Sequence, residues 1–342
     1  MPPLTEAVKK ALTGSDHMWQ FLKNYTSPRK LAAIGIMGMN QRNCLYISRY
    51  NPRNLYPLVD NKLLTKKIAQ KSGVTVPKLI GFIRHQYEVR NFETLVKSHA
   101  SFCIKPAHGS GGKGILVIVD SHDGSYYKPN GDALNVSNIE RHITNILAGL
   151  FSLGGKPDIV LIEELIHFDN VFENYTYEGV PDTRVILLKG YPVMCMMRLS
   201  TAASDGKANL HQGAVGVGID VRTGRAVRAV QYGRPIENHP DTGNKLLDLK
   251  VPQWIKVLTL ASSCYEMSGL GYIGCDIVLD KDKGPMLLEL NARPGLAIQI
   301  ANAAGLLPRL RKVEQLVATD VRMTPEERVE WSRKEFGVYE SD

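Results

Sequence analysis

Three oxygen-bearing side chains late in the chain, Asp276, Glu289 and Asn291, have the types and spacing of a magnesium site. We predict two strands, Asp276–Leu279 and Met286–Asn291, joined by a short turn. Alternate residues of a strand point the same way, so Glu289 and Asn291 share a face, and strand pairing brings Asp276 beside them. Oxygen ligands on a rigid sheet suit Mg²⁺, although a solvated carboxylate pair at strand ends would show the same pattern.

A second feature is the glycine-rich segment His108–Gly114, which contains the pattern G-x-G-x-x-G. A Rossmann site needs a helix after this loop and a Walker A loop needs Gly-Lys-Ser/Thr at its end, but here the predicted strand Ile115–Val119 follows. The segment instead predicts either a hairpin flap whose backbone N–H groups fold over phosphates or an ordinary glycine-rich turn. Lys105, on the predicted strand before it, has no acidic neighbour in sequence, and a phosphate would supply its partner.

The composition limits the class of protein. The 342 residues suffice for two domains, and 44% hydrophobic and 22% charged residues are ordinary for a soluble globular protein. No apolar run approaches the roughly 20 residues that span a bilayer, and Met1–Lys30 lacks a signal-peptide core. Five scattered cysteines without C-x-x-C spacing disfavour disulfides and zinc, and favour a cytoplasmic location.

The formal net charge is +8, which raises the question of a nucleic-acid partner. The basic residues are spread out, no finger or RRM-like signature is present, and nucleic-acid binding is therefore disfavoured. A positively lined cleft for an anionic small molecule fits better. The one modest basic cluster comprises Arg42, Arg49, Arg53, Lys62, Lys66 and Lys67.

Hydrophobic periodicity and helix-capping signals place the remaining elements. Further strands are predicted at Leu31–Ile36, Phe102–Lys105, Ile159–Glu163, Thr183–Leu188, Tyr191–Met197 and Gly213–Ile219. Helices are predicted at Leu4–Leu22, from an N-cap at Asp60 to Lys71, within Phe82–Lys97, at Val136–Leu150 and near Pro252–Ser268, with an exposed charged helix at Pro325–Phe336.

In this order, the lysine strand, glycine flap, acidic hinge strand and Asp…Glu-x-Asn hairpin resemble the ATP-grasp superfamily over about Asn61–Gly295. The segments Asp182–Val185 and Ala208–Gly213 are most similar to its α-L-glutamate-ligase-like group, which is related to the ribosomal-protein glutamate ligases and the sugar-transfer-associated family. The resemblance implies an α/β (α+β) fold in which two α+β subdomains clasp ATP beside a shortened N-terminal α/β region. The implied divisions are residues 1–59 (shortened region), 60–165 (lysine strand and flap), 166–310 (metal site) and 311–342 (charged helical tail).

The resemblance also implies roles for particular residues. ATP would be held by lysines, flap, hinge and a ribose contact: Lys62, Lys105, Gly109, Ser110, Gly111, Gly112, Gly114, Glu163, Glu164, Leu165, Ile166 and Asp182. Mg²⁺, with Mn²⁺ as an alternative, would be held by Asp276, Glu289 and Asn291. Substrate and the transferring phosphoryl group would be held by Arg184, Arg198, Asn209 and Arg293. His211 would join them, although a loop histidine near a cleft is often only a hydrogen-bond partner. The two strand arginines would otherwise be surface ends of strands.

One departure concerns the electrophilic arginine. Gly274 stands where the peptidoglycan D-alanine ligases carry that arginine, two residues before the metal aspartate. The role would fall to Arg184, Arg198 or Arg293.

The implied activity is that of an ATP- and Mg²⁺-dependent carboxylate–amine ligase, which forms an amide through an acyl phosphate and releases ADP. The partners would be a small-molecule or peptide carboxylate, glutamate or another amino acid among them, and an amine. Three alternatives stay open: an ATP-grasp kinase acting on a small-molecule or sugar hydroxyl, a non-catalytic nucleotide-binding regulator, and a structural or interaction protein. The resemblance also allows a homo-oligomer, since related ligases are commonly dimers or tetramers.

Overall fold

The computed structural model describes residues 26–109, 111–152 and 154–338. In this part of the chain the strands form three antiparallel sheets of four, seven and three strands. The strands are β1 (Leu79–Ile83), β2 (Phe102–Pro106), β3 (Leu116–Ile118), β4 (Asp120–His122), β5 (Ser125–Tyr127), β6 (Ala133–Asn135), β7 (Val160–Glu164), β8 (Asp182–Leu188), β9 (Tyr191–Leu199), β10 (Val215–Ile219), β11 (Ala226–Gln231), β12 (Arg234–Ile236), β13 (Tyr272–Asp280) and β14 (Gly284–Asn291).

Helices connect and cover these sheets. The α-helices are Pro28–Ala33, Met39–Gln41, Ser48–Tyr50, Pro57–Asp60, Lys62–Lys71, Phe92–Val96, Val136–Leu147, Trp254–Ser268, Ile298–Asn302, Leu307–Val317 and Pro325–Phe336, with a π-helix at Arg42–Ile47. Short 3₁₀ helices are Arg53–Leu55, Gln86–Asn91, Asn170–Tyr175, Ala202–Ser204, Leu210–Gln212 and Leu246–Asp248. No helix in the described ranges is long and apolar enough to cross a membrane.

The four-stranded sheet has the order β1-β7-β2-β3, and its two faces differ in chemistry. On one face the buried side chains of Phe102, Ile104 and Ile162 belong to a hydrophobic core that also includes apolar residues of the Val136–Leu147 helix. On the opposite face, alternation along β2 and β7 places Lys105 and Glu163. Strand alternation thus separates the core of this unit from its charged residues.

The seven-stranded sheet has the order β12-β11-β10-β9-β8-β13-β14. It also has charged side chains on one face. Asp276 lies opposite Glu289 on one side and opposite Arg184 on the other, and Asp182 lies opposite Arg198. Directly opposed residues share a face, so these charged side chains converge on one side of the sheet. The buried helix Trp254–Ser268 packs against β8, β9, β13 and β14.

The structure corrects the prediction at the beginning of the described chain. The segment predicted as the strand Leu31–Ile36 begins in the helix Pro28–Ala33, because Ser27 caps the helix by accepting a hydrogen bond from Lys30 N (3.2 Å) and Pro28 occupies a first-turn position. Residues 26–59 contain helices and no strand, so the α/β character predicted for the N-terminal region is not found in its described part. The predicted helix Leu4–Leu22 lies outside the described residues.

Two further predictions about helices were wrong in detail. Asp60 ends the helix Pro57–Asp60, and the cap of the next helix is Asn61, whose Oδ1 accepts from Leu63 N (3.0 Å) and Leu64 N (3.2 Å). The helix Pro325–Phe336 is charged but not simply exposed. Arg328 is buried and pairs with Glu266 (2.7 Å), and the helix packs on Trp254–Ser268 and β9.

The other predicted elements are confirmed with shifted ends. The segment Phe82–Lys97 divides into the end of β1, a 3₁₀ helix and the helix Phe92–Val96. The helix predicted to reach Leu150 ends at Leu147. The divisions after residues 59, 165 and 310 stay predictions.

Candidate active site

Two buried lysines share one carboxylate on the charged face of the four-stranded sheet. Lys105 Nζ lies 2.7 Å from Glu163 Oε2, and Lys66 Nζ lies 3.2 Å from Glu163 Oε1. All three side chains are less than a tenth exposed. We call Lys66, Lys105 and Glu163 the lysine cluster; its second lysine comes from the Lys62–Lys71 helix.

Burial acts differently on the two lysines. It lowers the pKa of Lys66 to about 8, against the attraction of Glu163. Burial would also lower the pKa of Lys105, but the shorter contact with Glu163 outweighs it and leaves this pKa above its ordinary value. Lys105 is therefore the more firmly protonated member of the cluster.

Lys62 joins this cluster to the flap and to the predicted metal strand. Its Nζ donates to Gly109 O (2.7 Å) and lies 3.4 Å from Glu289 Oε1. Lys62 N also donates to Ala107 O (3.1 Å), which ties the helix start to the strand leading into the flap. Lys62, Lys66, Lys105 and Glu289 line one cleft together with Leu287, Leu288 and Leu290.

The glycine flap is fastened at both ends. At its start, His108 N donates to both oxygens of the buried Asp158 (3.1 Å each), whose Oδ1 also lies 2.7 Å from His108 Nδ1. At its end, Gly114 has φ +76°, and a Cβ there would lie 2.6 Å from the Phe151 ring, so only glycine fits. Between them, Gly111 and Gly112 also have positive φ, whereas Ser110 lies outside the described residues.

The predicted adenine hinge, Glu163–Ile166, begins in β7, the strand that pairs with the Lys105 strand β2. The Glu164 side chain lies 3.1 Å from Lys78 Nζ and accepts from Lys283 Nζ (2.6 Å), contacts that lower its pKa. Alternation along the strand turns Glu163 the other way, toward the cleft face. In the described chain, the buried Glu163 Oε1 accepts no hydrogen bond of good geometry, and the Lys66 ammonium 3.2 Å away donates to Pro77 O. Lys66 and Glu163 Oε1 therefore interact as an ion pair.

Two aspartates and two arginines form a second cluster on the seven-stranded sheet. Asp276 accepts from Arg184 Nε (2.8 Å) and Nη2 (2.7 Å), and Asp182 accepts from Arg198 Nε (2.7 Å) and Nη2 (2.6 Å). Arg198 Nη2 also donates to Asp276 Oδ2 (2.8 Å) and so joins the two pairs. We call these four residues the arginine cluster. Its two bidentate pairs have the geometry of strong charge-assisted hydrogen bonds.

The titration of this cluster follows from its contacts. Burial would raise the pKa of Asp276, but Arg184 and Arg198 outweigh it and hold this pKa below its usual range. For Asp182 burial prevails over Arg198, and the charge of Asp276 adds to it, so its pKa is raised. The attraction of both aspartates raises the pKa of Arg198. Asp182, predicted as a ribose contact, has both oxygens bonded to Arg198.

The predicted magnesium ligands lie together at the edge of this cluster. Asn291 Nδ2 donates to Asp276 Oδ2 (3.2 Å), and Glu289 lies opposite Asp276. Among the described residues, Asp276 Oδ1 accepts only from Arg184, so it keeps one lone pair, and Glu289 is about one-third exposed. The donor set therefore fits Mg²⁺. No group of three His, Cys, Asp or Glu in the described ranges could hold a metal. The predicted set falls outside that finding, because its third donor is the amide of Asn291.

The loop bearing Asn209 and His211 lies over the same sheet face. Leu210 packs so closely on Gly216 that a Cβ there would lie 2.8 Å from it. Asn209 Oδ1 accepts from His211 N (3.0 Å), and Asn209 Nδ2 lies 3.8 Å from the Cβ position of Gly111. The flap and this loop therefore meet, although they come from different parts of the chain.

Arg293 stands apart from the arginine cluster. Its side chain is 57% exposed, its Nη2 lies 3.6 Å from Asp60 Oδ2, and its guanidinium lies over the Tyr56 ring. Arg293 therefore lies at the surface and is not part of a buried ion pair.

Sequence reasoning missed three residues that organise the site: Lys66, Asp158 and the Glu163 side chain. Lys66 was counted only as part of a basic cluster, although its position one turn after Lys62 places it on the same helix face. The pairing of His108 with Asp158 joins residues 50 positions apart, for which no local signal exists.

Comparisons with known proteins agree with this fold. The family described as "Sugar-transfer associated ATP-grasp" matches residues 41–315. No match is found among curated protein sequences.

Solved structures show a distant likeness. D-cycloserine synthetase DcsG is 15% identical, with 79% of this chain and 73% of that chain covered and a TM-score of 0.44. The ATP-grasp ligase PsnB, complexed with minimal precursor, Mg and ADP, is 15% identical (80% and 62% covered, TM-score 0.42). D-alanine–D-alanine ligase from Bacillus anthracis, complexed with ATP, is 17% identical (83% and 70% covered, TM-score 0.40). These likenesses are too distant to indicate a substrate. The family match spans most of the chain, and the protein belongs to the sugar-transfer-associated ATP-grasp family.

Proposed function

We propose that the protein is an ATP- and Mg²⁺-dependent carboxylate–amine ligase that forms an amide through an acyl phosphate and releases ADP. The observation that carries the proposal is the position of Lys62 Nζ, between Gly109 O of the flap and Glu289 Oε1 of the predicted metal site. An ammonium group between a glycine-rich flap and the carboxylate of a predicted metal ligand indicates where a polyphosphate would bind.

Each part of the site has a proposed role. Lys62, Lys105 and the flap would hold the phosphates of ATP, and the backbone of the hinge Glu163–Ile166 would pair with the base. Asp276, Glu289 and Asn291 would hold Mg²⁺, which supplies neutralisation of phosphate charge when bound. Ribose recognition by Asp182 would require its carboxylate to share Arg198.

The arginine cluster would serve the acyl-transfer steps. The substrate carboxylate attacks the γ-phosphorus, the bond to ADP breaks, and the amine then displaces phosphate from the acyl phosphate. Arg184 and Arg198, held in place by their aspartates, would stabilise the negative charge that develops on oxygen. Asn209 and the flap would exclude water from the reactive acyl group, and Arg293 at the surface would orient the incoming substrate.

A second candidate follows from the family description, which associates this family with sugar transfer. An ATP-grasp kinase would use the same ATP residues and phosphorylate a small-molecule or sugar hydroxyl. The metal set and the arginine cluster serve phosphoryl transfer equally well. The two candidates differ in the acceptor and in whether an activated acyl group forms.

The test is incubation with ATP, Mg²⁺, hydroxylamine and a pool of amino acids and other carboxylates, with ADP, AMP and hydroxamate measured. Hydroxamate in proportion to ADP supports the ligase, and ADP without hydroxamate supports the kinase. AMP would contradict the acyl-phosphate route. Glu289→Ala is the inactive control. Mn²⁺ in place of Mg²⁺, a cytoplasmic location and a homo-oligomer stay predictions.

A further inference from the structure

The lysine cluster carries an unbalanced charge. Lys66 and Lys105 are both cationic at neutral pH, and Glu163 is the one carboxylate that contacts them in the described chain. The nearby Cys103 stays neutral because burial raises its pKa to about 12. The other charged residues that line the cleft, Lys62 and Glu289, form a pair of their own. The cluster therefore holds one buried positive charge in excess.

A buried charge without a partner is costly, and an arriving anion relieves that cost. With Lys105 and Glu163 alone, the 2.7 Å pair would be neutral and closed, and a phosphate would compete with Glu163 for the Lys105 ammonium. With the Lys66 ammonium 3.2 Å from Oε1, the charge of Glu163 is divided between two ammonium groups. Lys105 then keeps uncompensated charge for the phosphate.

We propose that Lys66 is a positioning residue of the nucleotide site: by sharing the Glu163 carboxylate, it leaves the lysine cluster with one net positive charge that the phosphates of ATP neutralise. The inference rests on the proposed function, since it requires ATP in this cleft. It adds a residue that acts through Glu163 and Lys105 rather than by its own contact with the nucleotide. ATP affinity should then follow the net charge of the cluster.

A charge-count cycle measured by calorimetric titration with MgATP tests this. Lys66→Met makes the cluster neutral and should raise the Kd about tenfold. Glu163→Gln leaves two positive charges and should bind MgATP at least as tightly as the wild type. The double variant Lys66→Met/Glu163→Gln restores one net charge, and its Kd should return to within about threefold of the wild-type value.

The matched control is Lys67→Met, which removes an exposed lysine from the same helix and should leave the Kd unchanged. If Lys66 had only a structural role, restoring the net charge would not restore binding, and the double variant would bind MgATP no better than Lys66→Met. That result, or an unchanged Kd for Lys66→Met, would overturn the role proposed for Lys66 and leave the proposed function of the protein standing. If the wild type itself fails to bind MgATP, the proposed function falls with it.

A second measurement uses the unaltered protein and does not depend on how the variants fold. Because burial lowers the pKa of Lys66 to about 8, the excess charge should disappear as the pH rises from 7 to 9.5. The Kd for MgATP of the wild type and of Lys67→Met should rise about tenfold over this range. A wild-type Kd that is constant from pH 7 to 9.5 would contradict the proposal.

Discussion

The two buried ionic clusters of this protein are built from the same kinds of charge but balance them differently. The arginine cluster pairs two arginines with two aspartates through five hydrogen bonds and is neutral within itself. The lysine cluster sets two lysines against one glutamate. The charge of Glu289 acts on members of both clusters, on Lys105 and on Arg198.

This difference in charge balance distinguishes a preorganised cluster from a cluster that is suited to binding an anionic ligand. A closed network of bidentate pairs fixes its side chains before any ligand arrives, which is what electrostatic catalysis requires. A cluster with excess charge is incomplete until an anion enters. We therefore expect substitutions in the arginine cluster to damage folding first, and those in the lysine cluster to damage nucleotide binding first.

The largest effect should follow from opening the closed cluster. Asp276→Ala leaves the buried guanidinium of Arg184 without its carboxylate and should lower the free energy of unfolding by about 3–5 kcal/mol, measured by urea denaturation. Glu330→Ala is the control, because Glu330 is exposed on the helix Pro325–Phe336, pairs there with Arg333, and its loss should not move the unfolding midpoint. A loss below about 1 kcal/mol for Asp276→Ala would mean that the cluster is not the closed unit described.

Turnover should respond strongly on both sides of the cleft. Lys105→Ala or Glu289→Ala removes one electrostatic contact to the phosphates or metal, which typically costs about 3 kcal/mol of barrier. ADP release in the hydroxylamine assay should therefore fall at least about a hundredfold. Circular dichroism should show folded variants. Near-normal ADP release by a folded variant would remove that residue from the site.

The pH dependence of the free energy of unfolding should reveal the buried ammonium group of Lys66. The folded-state pKa of about 8 lies below the ordinary value of 10.5, so between these pH values the unfolded chain binds more protons and stability rises with pH. Relative to Lys66→Met, the wild type should gain about 1–3 kcal/mol between pH 8 and pH 10 in urea unfolding. An equal pH dependence in both proteins would refute the burial of a charged Lys66.

The smallest effect on stability should come from Arg293→Ala. Its ion pair with Asp60 is 3.6 Å long and exposed, so the free energy of unfolding should change by less than about 0.5 kcal/mol. If the residue orients substrate, KM should rise while the unfolding midpoint stays fixed. A large drop in stability would place Arg293 among the structural arginines instead.

The sequence predicts the parts of this site that are local. The hairpin of β13 and β14 follows from alternation around a short turn, and the flap follows from its glycines between two strands. The prediction failed at Leu31–Ile36, because an apolar run of this length is ambiguous and the Ser27 cap decided for helix.

The two clusters could not be predicted, because each depends on strand neighbours far apart in sequence. Arg184 meets Asp276 across 92 positions. Lys66 is buried although lysines are usually exposed, since its partner Glu163 arrives from β7. Local patterns thus supply the candidate residues, and sheet order determines which of them pair.

We propose one MgATP site between the two clusters, and calorimetric titration of the wild-type chain with ATP is the decisive experiment. We expect one ATP per chain in the presence of Mg²⁺, with binding weakened about tenfold or more by Lys105→Ala on one side of the cleft and by Glu289→Ala on the other. Binding that is absent, or that depends on neither residue, would contradict it.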